Sequence, residues 1–166
     1  MYREGHVGFN ALLYAPFVPL VSRYWSLELA VLGAVLAVGL ANLPDIDQPL
    51  PRIRHRGPTH TLWFAVFVGL AAGVGTTLVV PSTPVAFRFG FVVGTASVLT
   101  HLAGDVVTPM GISPLAPLSR THVTLDWFKS KNGRINKSVL FVGTVVLLGS
   151  LLLTIEGRAG LGVPAL

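Results

Sequence analysis

Apolar runs long enough to cross a bilayer alternate along this chain with short polar islands. Residues 27–43, 59–80, 86–107 and 138–155 each form such a run, and each is long enough to span most of the ~30 Å hydrocarbon core as a helix. Pro44 closes the first, Pro81 and Pro84 the second, and Pro109 with Gly111 the third. A fifth run, residues 7–21, carries Pro16 and Pro19 and would cover only roughly 22 Å. It reads as a short kinked span, a re-entrant segment or an interfacial helix, and the distribution of charge favours the span. The pattern predicts an all-α, polytopic membrane helical bundle of about five spans, four strong and one short. The whole chain, 1–166, forms one domain with polar loops at 44–58 and 108–137.

Glycines add a packing expectation. Gly69 with Gly73, and Gly90 with Gly94, stand four apart and place small residues on one helical face, where backbones can approach closely.

Composition agrees with this reading. The chain is 52% hydrophobic and 11% charged, with a mean hydropathy of +0.69. It has no cysteine, so a thiolate-ligated metal site and a disulfide framework are both excluded. The net charge of +5 comes from short basic clusters between apolar runs, which fits charged membrane loops and not a nucleic-acid surface. Five crossings put Arg3, Arg52, Arg54, Arg56, Arg120, Lys129, Lys131, Arg134 and Lys137 on one side. Arg23, Arg88 and Arg158 fall on the other. That bias predicts a multi-pass protein of the inner or plasma membrane with the richer side in the cytoplasm. His6 and both polar islands then share the cytoplasmic side.

The islands carry the chemistry. The first, Asn42 to Thr61, reads NLPDIDQPLPRIRHRGPTHT, and the second runs from Thr100 to Gly111. Asp45 and Asp47 alternate with Ile46, so in an extended chain both carboxylates would project the same way. His55 and His60 flank the Arg56-Gly57-Pro58 turn. His101 and Asp105 are four apart and share one helical face. Six N/O groups at one membrane level predict a site for a divalent metal, one or two ions of Zn, Mn or Fe. Each piece alone has a plainer reading: a capped turn, a structural His–Asp hydrogen bond, or a topology signal in Arg52, Arg54 and Arg56. Ionisable groups entering a membrane helix usually mark function, and the combination favours the metal.

Three motifs also resemble a known family. Pro44-Asp-Ile-Asp47, His55-Arg-Gly-Pro-Thr-His60-Thr and His101-Leu-Ala-Gly-Asp105-Val-Val-Thr108-Pro-Met-Gly111 are similar to those of the YdjM-type inner-membrane proteins, described as metal-dependent hydrolases. Gly5-His6 with Gly8 resembles that family's N-terminal histidine motif. The likeness covers His6 to about Pro117, and Thr61 stands where a serine is expected. It implies a membrane hydrolase fold with metal ligands at His6, Asp45, Asp47, His60, His101 and Asp105.

The expected reaction is hydrolysis of a phosphoester or lipid-like ester by a metal-activated water. The substrate is amphiphilic or phosphorylated, and the partner is the lipid bilayer. His55 serves as ligand or proton shuttle, Arg54 and Arg56 neutralise an anionic group, and Thr59 and Thr108 orient ligands. Two alternatives stand beside this. One is a metal-independent phosphatidic-acid-phosphatase-like enzyme using His101. The other is a non-enzymatic membrane metal transporter or assembly protein. His122 and Asp126 repeat the four-residue spacing outside the motifs and read as a surface pair.

Overall fold

The computed structural model describes residues 1–49, 55–81 and 84–160. Its helices are α1 (Arg3–Tyr14), α2 (Phe17–Tyr24), α3 (Leu27–Gly39), α4 (Leu62–Val79), α5 (Ala86–Val106) and α6 (Gly133–Gly160). Two 3-10 turns, Leu43–Asp47 and Pro58–His60, lie between α3 and α4. Among the described residues, four segments are long and apolar enough to cross a membrane: Leu27–Asp47, Leu62–Val79, Ala86–Val106 and Gly133–Gly160.

Helix starts follow local chemistry. Ser26 caps α3 by accepting from the Leu29 N–H, and Thr61 caps α4 by accepting from the Phe64 N–H. Thr61 thus performs with its hydroxyl the capping a serine would. Asn132 accepts from the Ile135 N–H at the start of α6. That cap starts the helix five residues before the apolar run at 138, so Arg134 and Lys137 lie on its first turns.

The short N-terminal run forms two helices joined at Ala15 and Pro16, and together they accompany α6 along its length. Gly8 lies against the Leu140 backbone, Ser150 Oγ donates to the Ala15 carbonyl, and Arg158 donates to the Ser22 carbonyl. The register advances in the same direction on both sides, so the pair runs parallel to α6. Its 22 residues rise roughly 33 Å, enough for one crossing. This brings His6 to the end of the bundle where α3 and α5 finish and α4 and α6 begin.

The glycines act as expected. α4 and α5 form the most extensive helix pair. A Cβ on Gly73 would stand 2.9 Å from the Phe87 carbonyl, and one on Gly94 would stand 2.6 Å from Ala72 Cβ. Gly69 and Gly90 face Thr95 and Thr76 in the same seam. Gly8 and Gly143 make a second close crossing, backbone on backbone, between α1 and α6. The outer faces of α4 and α6 carry exposed apolar side chains: Leu78, Phe141 and Leu153 are each at least 70% exposed, as lipid-facing positions would be.

The α1–α6 crossing predicts a selective loss of stability. Gly143→Leu must push α1 off α6 and should cost about 2–4 kcal/mol in detergent unfolding. Gly157→Leu, where an added Cβ meets nothing within 4 Å, should cost far less.

Candidate metal centre

Four chain segments deliver the polar residues to this end of the bundle. α1 supplies His6, the first 3-10 turn Asp45 and Asp47, and the turn before α4 His55, Arg56 and His60. The last turns of α5 supply His101 and Asp105. His60 and His101 are fully buried, and His6, Asp47 and Asp105 nearly so.

The centre is a meeting of four atoms. His60 Nε2 stands 3.3 Å from His101 Nε2, 3.2 Å from Asp105 Oδ2 and 3.6 Å from Asp45 Oδ1. His101 Nε2 is 3.5 Å from Asp105 Oδ2 and 3.8 Å from Asp45 Oδ1. Ligand atoms about 2.0–2.1 Å from a tetrahedral ion stand about 3.3–3.4 Å from one another, so the His60, His101 and Asp105 atoms have the spacing of three ligands of a zinc-like cation, while Asp45, His60 and His101 form a second, overlapping group.

Protonation argues the same way. His101 Nδ1 lies 2.7 Å from the Ala41 carbonyl, which can only accept, so that nitrogen carries the proton. Thr59 Oγ1 donates to Asp47 Oδ2 at 2.7 Å and therefore accepts from His60 Nδ1 at 3.0 Å. In the neutral tautomers, both Nε2 atoms then present lone pairs to each other and to two carboxylate oxygens. Asp105 Oδ2 is buried and has no hydrogen-bond donor. Four electron-rich atoms cannot share a buried point without positive charge between them. Burial disfavours a charged His60, yet the Asp105 and Asp45 carboxylates outweigh it and raise its basicity above the ordinary histidine value.

Asp47 stands differently from Asp45. The segment is a 3-10 turn, not the extended chain its alternation implied, so the two side chains diverge. Asp47 reaches the opposite nitrogen of His60, with Oδ2 3.5 Å from Nδ1. It accepts from the Arg56 N–H and faces His55 Nδ1 at 2.9 Å. Asp45, Asp47 and His55 nonetheless offer ligand atoms within 4.8 Å of one another, as do His6, His101 and Asp105.

His6 stacks on His101 with ring centroids 3.7 Å apart, and its Nε2 is 3.5 Å from Asp105 Oδ1. Neither ring nitrogen has a hydrogen-bond partner. Gly104 makes room for it, since a Cβ there would stand 3.1 Å from His6 Nδ1. Arg56 is committed within the protein: it donates to Asp105 Oδ1 at 2.7 Å, to the Gly111 carbonyl at 2.9 Å and to Thr108 at 3.3 Å. Its backbone is left-handed, with φ 61°, which turns the chain between His55 and His60. Asp105 Oδ1 also receives the Met1 amine. Arg54 lies outside the described residues.

Two contributors carry no sequence signal. The Ala41 carbonyl fixes the His101 tautomer as a backbone atom. Asn136 ties α6 to the start of α1 by accepting from the Tyr2 N–H and donating to the Ser130 and Asn132 carbonyls. His122 and Asp126 are exposed on non-helical chain beside an isolated bridge between Ile112 and Val123. His122→Ala should therefore leave bound metal per chain unchanged by elemental analysis, whereas His101→Ala should remove most of it.

The model of the YdjM inner membrane protein family matches residues 1–163, beyond the His6–Pro117 stretch that carries the motifs. Neither the curated proteins nor the solved structures include a match to the chain. With the family match covering nearly the whole sequence and the helices apolar enough to span a membrane, the chain belongs to the YdjM inner membrane protein family.

Proposed function

We propose that the chain is a membrane-embedded, metal-dependent hydrolase acting on a phosphoester or lipid-like ester, with its site facing the cytoplasm. The observation that carries this reading is the pair of imidazole Nε2 atoms 3.3 Å apart, beside the buried Asp105 and the partly buried Asp45 carboxylates. Asp45, His60, His101 and Asp105 would hold one divalent cation, and His6 completes the far side of the cluster. Such an ion, when bound, supplies Lewis acidity toward an ester or phosphoryl oxygen and acidifies water.

The chain's own groups do the rest. Asp47 and Thr59 fix the His60 ring, and the Ala41 carbonyl fixes the His101 ring. Arg56 anchors Asp105 and lends positive charge without being free to follow a substrate. Arg54 remains the proposed partner for an anionic group. His55 is about a third exposed and paired with Asp47, so it can take a proton from the attacking water. It returns that proton to the leaving oxygen. The cytoplasmic placement rests on the nine-to-three excess of Lys/Arg on the site's side. The phosphatase-like alternative is disfavoured because His101 is fully buried, with both nitrogens engaged or crowded.

A graded mutant series tests the assignment. Wild-type protein should retain metal through purification, and a hundredfold excess of metal over Kd should stabilise it by about 2.7 kcal/mol against thermal unfolding. His60→Ala should abolish that stabilisation. Asp47→Asn keeps the shape but loses the charge behind His60, and should weaken metal binding roughly 10–100-fold. Equal stabilisation of all three proteins would remove the centre. Metal-dependent release of phosphate or fatty acid from a lipid ester, lost in His60→Ala, would establish the reaction.

A further inference from the structure

α3 and α4 are consecutive in the chain but are not a packed pair, and an apolar cleft of about 480 Å³ separates them. One wall is a ladder of Leu32, Leu36 and Leu40, four residues apart. The opposite wall combines the small residues Ala71, Ala72 and Gly75 with the larger Phe67, Val68 and Val79. Small side chains facing a leucine ladder leave the slot between the helices unfilled.

The cleft begins at the metal centre. Leu43, Ile46 and Phe64 line that end, and Ile46 sits between Asp45 and Asp47 with about half its surface exposed. From Phe64 to Gly75 the helix rises roughly 16 Å, about half of the ~30 Å hydrocarbon core and so close to one leaflet. Spread over that length, 480 Å³ gives a mean cross-section of about 30 Å². A single hydrocarbon chain fits.

We propose that this cleft holds one acyl chain of a lipid whose headgroup bond is presented to Asp45, His60, His101 and Asp105. The fate of that lipid rests on the hydrolase reading. Binding of the chain does not, and can be measured separately. The site thereby selects a membrane lipid over a free phosphate or a soluble ester. The lipid's head stays at the cytoplasmic level while its chain follows α4 into the bilayer.

The test uses the full chain in lipid nanodiscs and a phosphatidic acid carrying a diazirine at the end of a palmitoyl chain. After irradiation, label should map to residues 71–79 and 32–40. Unlabelled palmitoyl lipid should compete, and its octanoyl counterpart should not. Gly75→Leu fills space where an added Cβ meets nothing within 4 Å, so it blocks the cleft without a clash. It should lower cleft labelling roughly tenfold, the effect of displacing about two buried methylenes. Gly149→Leu, at an equally open glycine of α6, should label as wild type does. Label spread over the outer face of α6, or undiminished in Gly75→Leu, overturns the proposal, as does label from a second copy's helix in place of the probe. Metal content is read on the same samples. Cleft labelling in protein that binds no metal keeps the acyl-chain site and removes the hydrolase reading. Metal without cleft labelling removes the acyl-chain site alone.

Discussion

Everything at one end of this bundle depends on a single electrostatic constraint. Two imidazoles, each with its other nitrogen committed to a fixed acceptor, aim their remaining nitrogens at each other from 3.3 Å, between carboxylates. Buried in a protein that is itself set in lipid, such an arrangement is costly unless positive charge, a bound cation or a proton on His60, sits among these atoms. The residues that converge there come from segments far apart in sequence, including α1, both 3-10 turns and α5. The same cation that would organise chemistry would therefore also pin these helix ends together, coupling metal binding to folding.

The rest of the architecture makes that convergence possible. Close glycine crossings bring α4 onto α5 and α1 onto α6, so that His6 arrives flat against His101. Where the helices are not drawn together, between α3 and α4, a chain-wide slot remains that opens beside Asp45. Tight packing in one place and its absence in another thus give the bundle both its polar cluster and its apolar slot.

Much of this was legible in the sequence because its signals are local. Apolar runs ended by Pro44, Pro81 and Pro109 marked the helices, and His101 with Asp105 sat one helical turn apart as the spacing required. The clustering of charge in an otherwise apolar chain marked residues that the fold brings together at one end of the bundle. What stayed hidden was conformational or long-range. Alternation in Asp45-Ile46-Asp47 reads as extended chain, yet Pro44 begins a 3-10 turn that sends the two carboxylates to opposite sides of His60. Arg56 has the composition of a substrate-binding residue, but a left-handed backbone and three acceptors make it an internal clamp. The Ala41 carbonyl, Asn136 and Gly104 act through positions that only the tertiary fold reveals.

The central claim is that a cation is held by both imidazoles and by carboxylates at one point. X-ray absorption at the metal edge of the purified, metal-loaded protein tests this most directly. The account predicts a four-coordinate N/O shell at about 2.0–2.1 Å with the outer-sphere signature of two imidazoles, one of them lost in His101→Ala. A shell of oxygen alone, or one unchanged by that substitution, would contradict it.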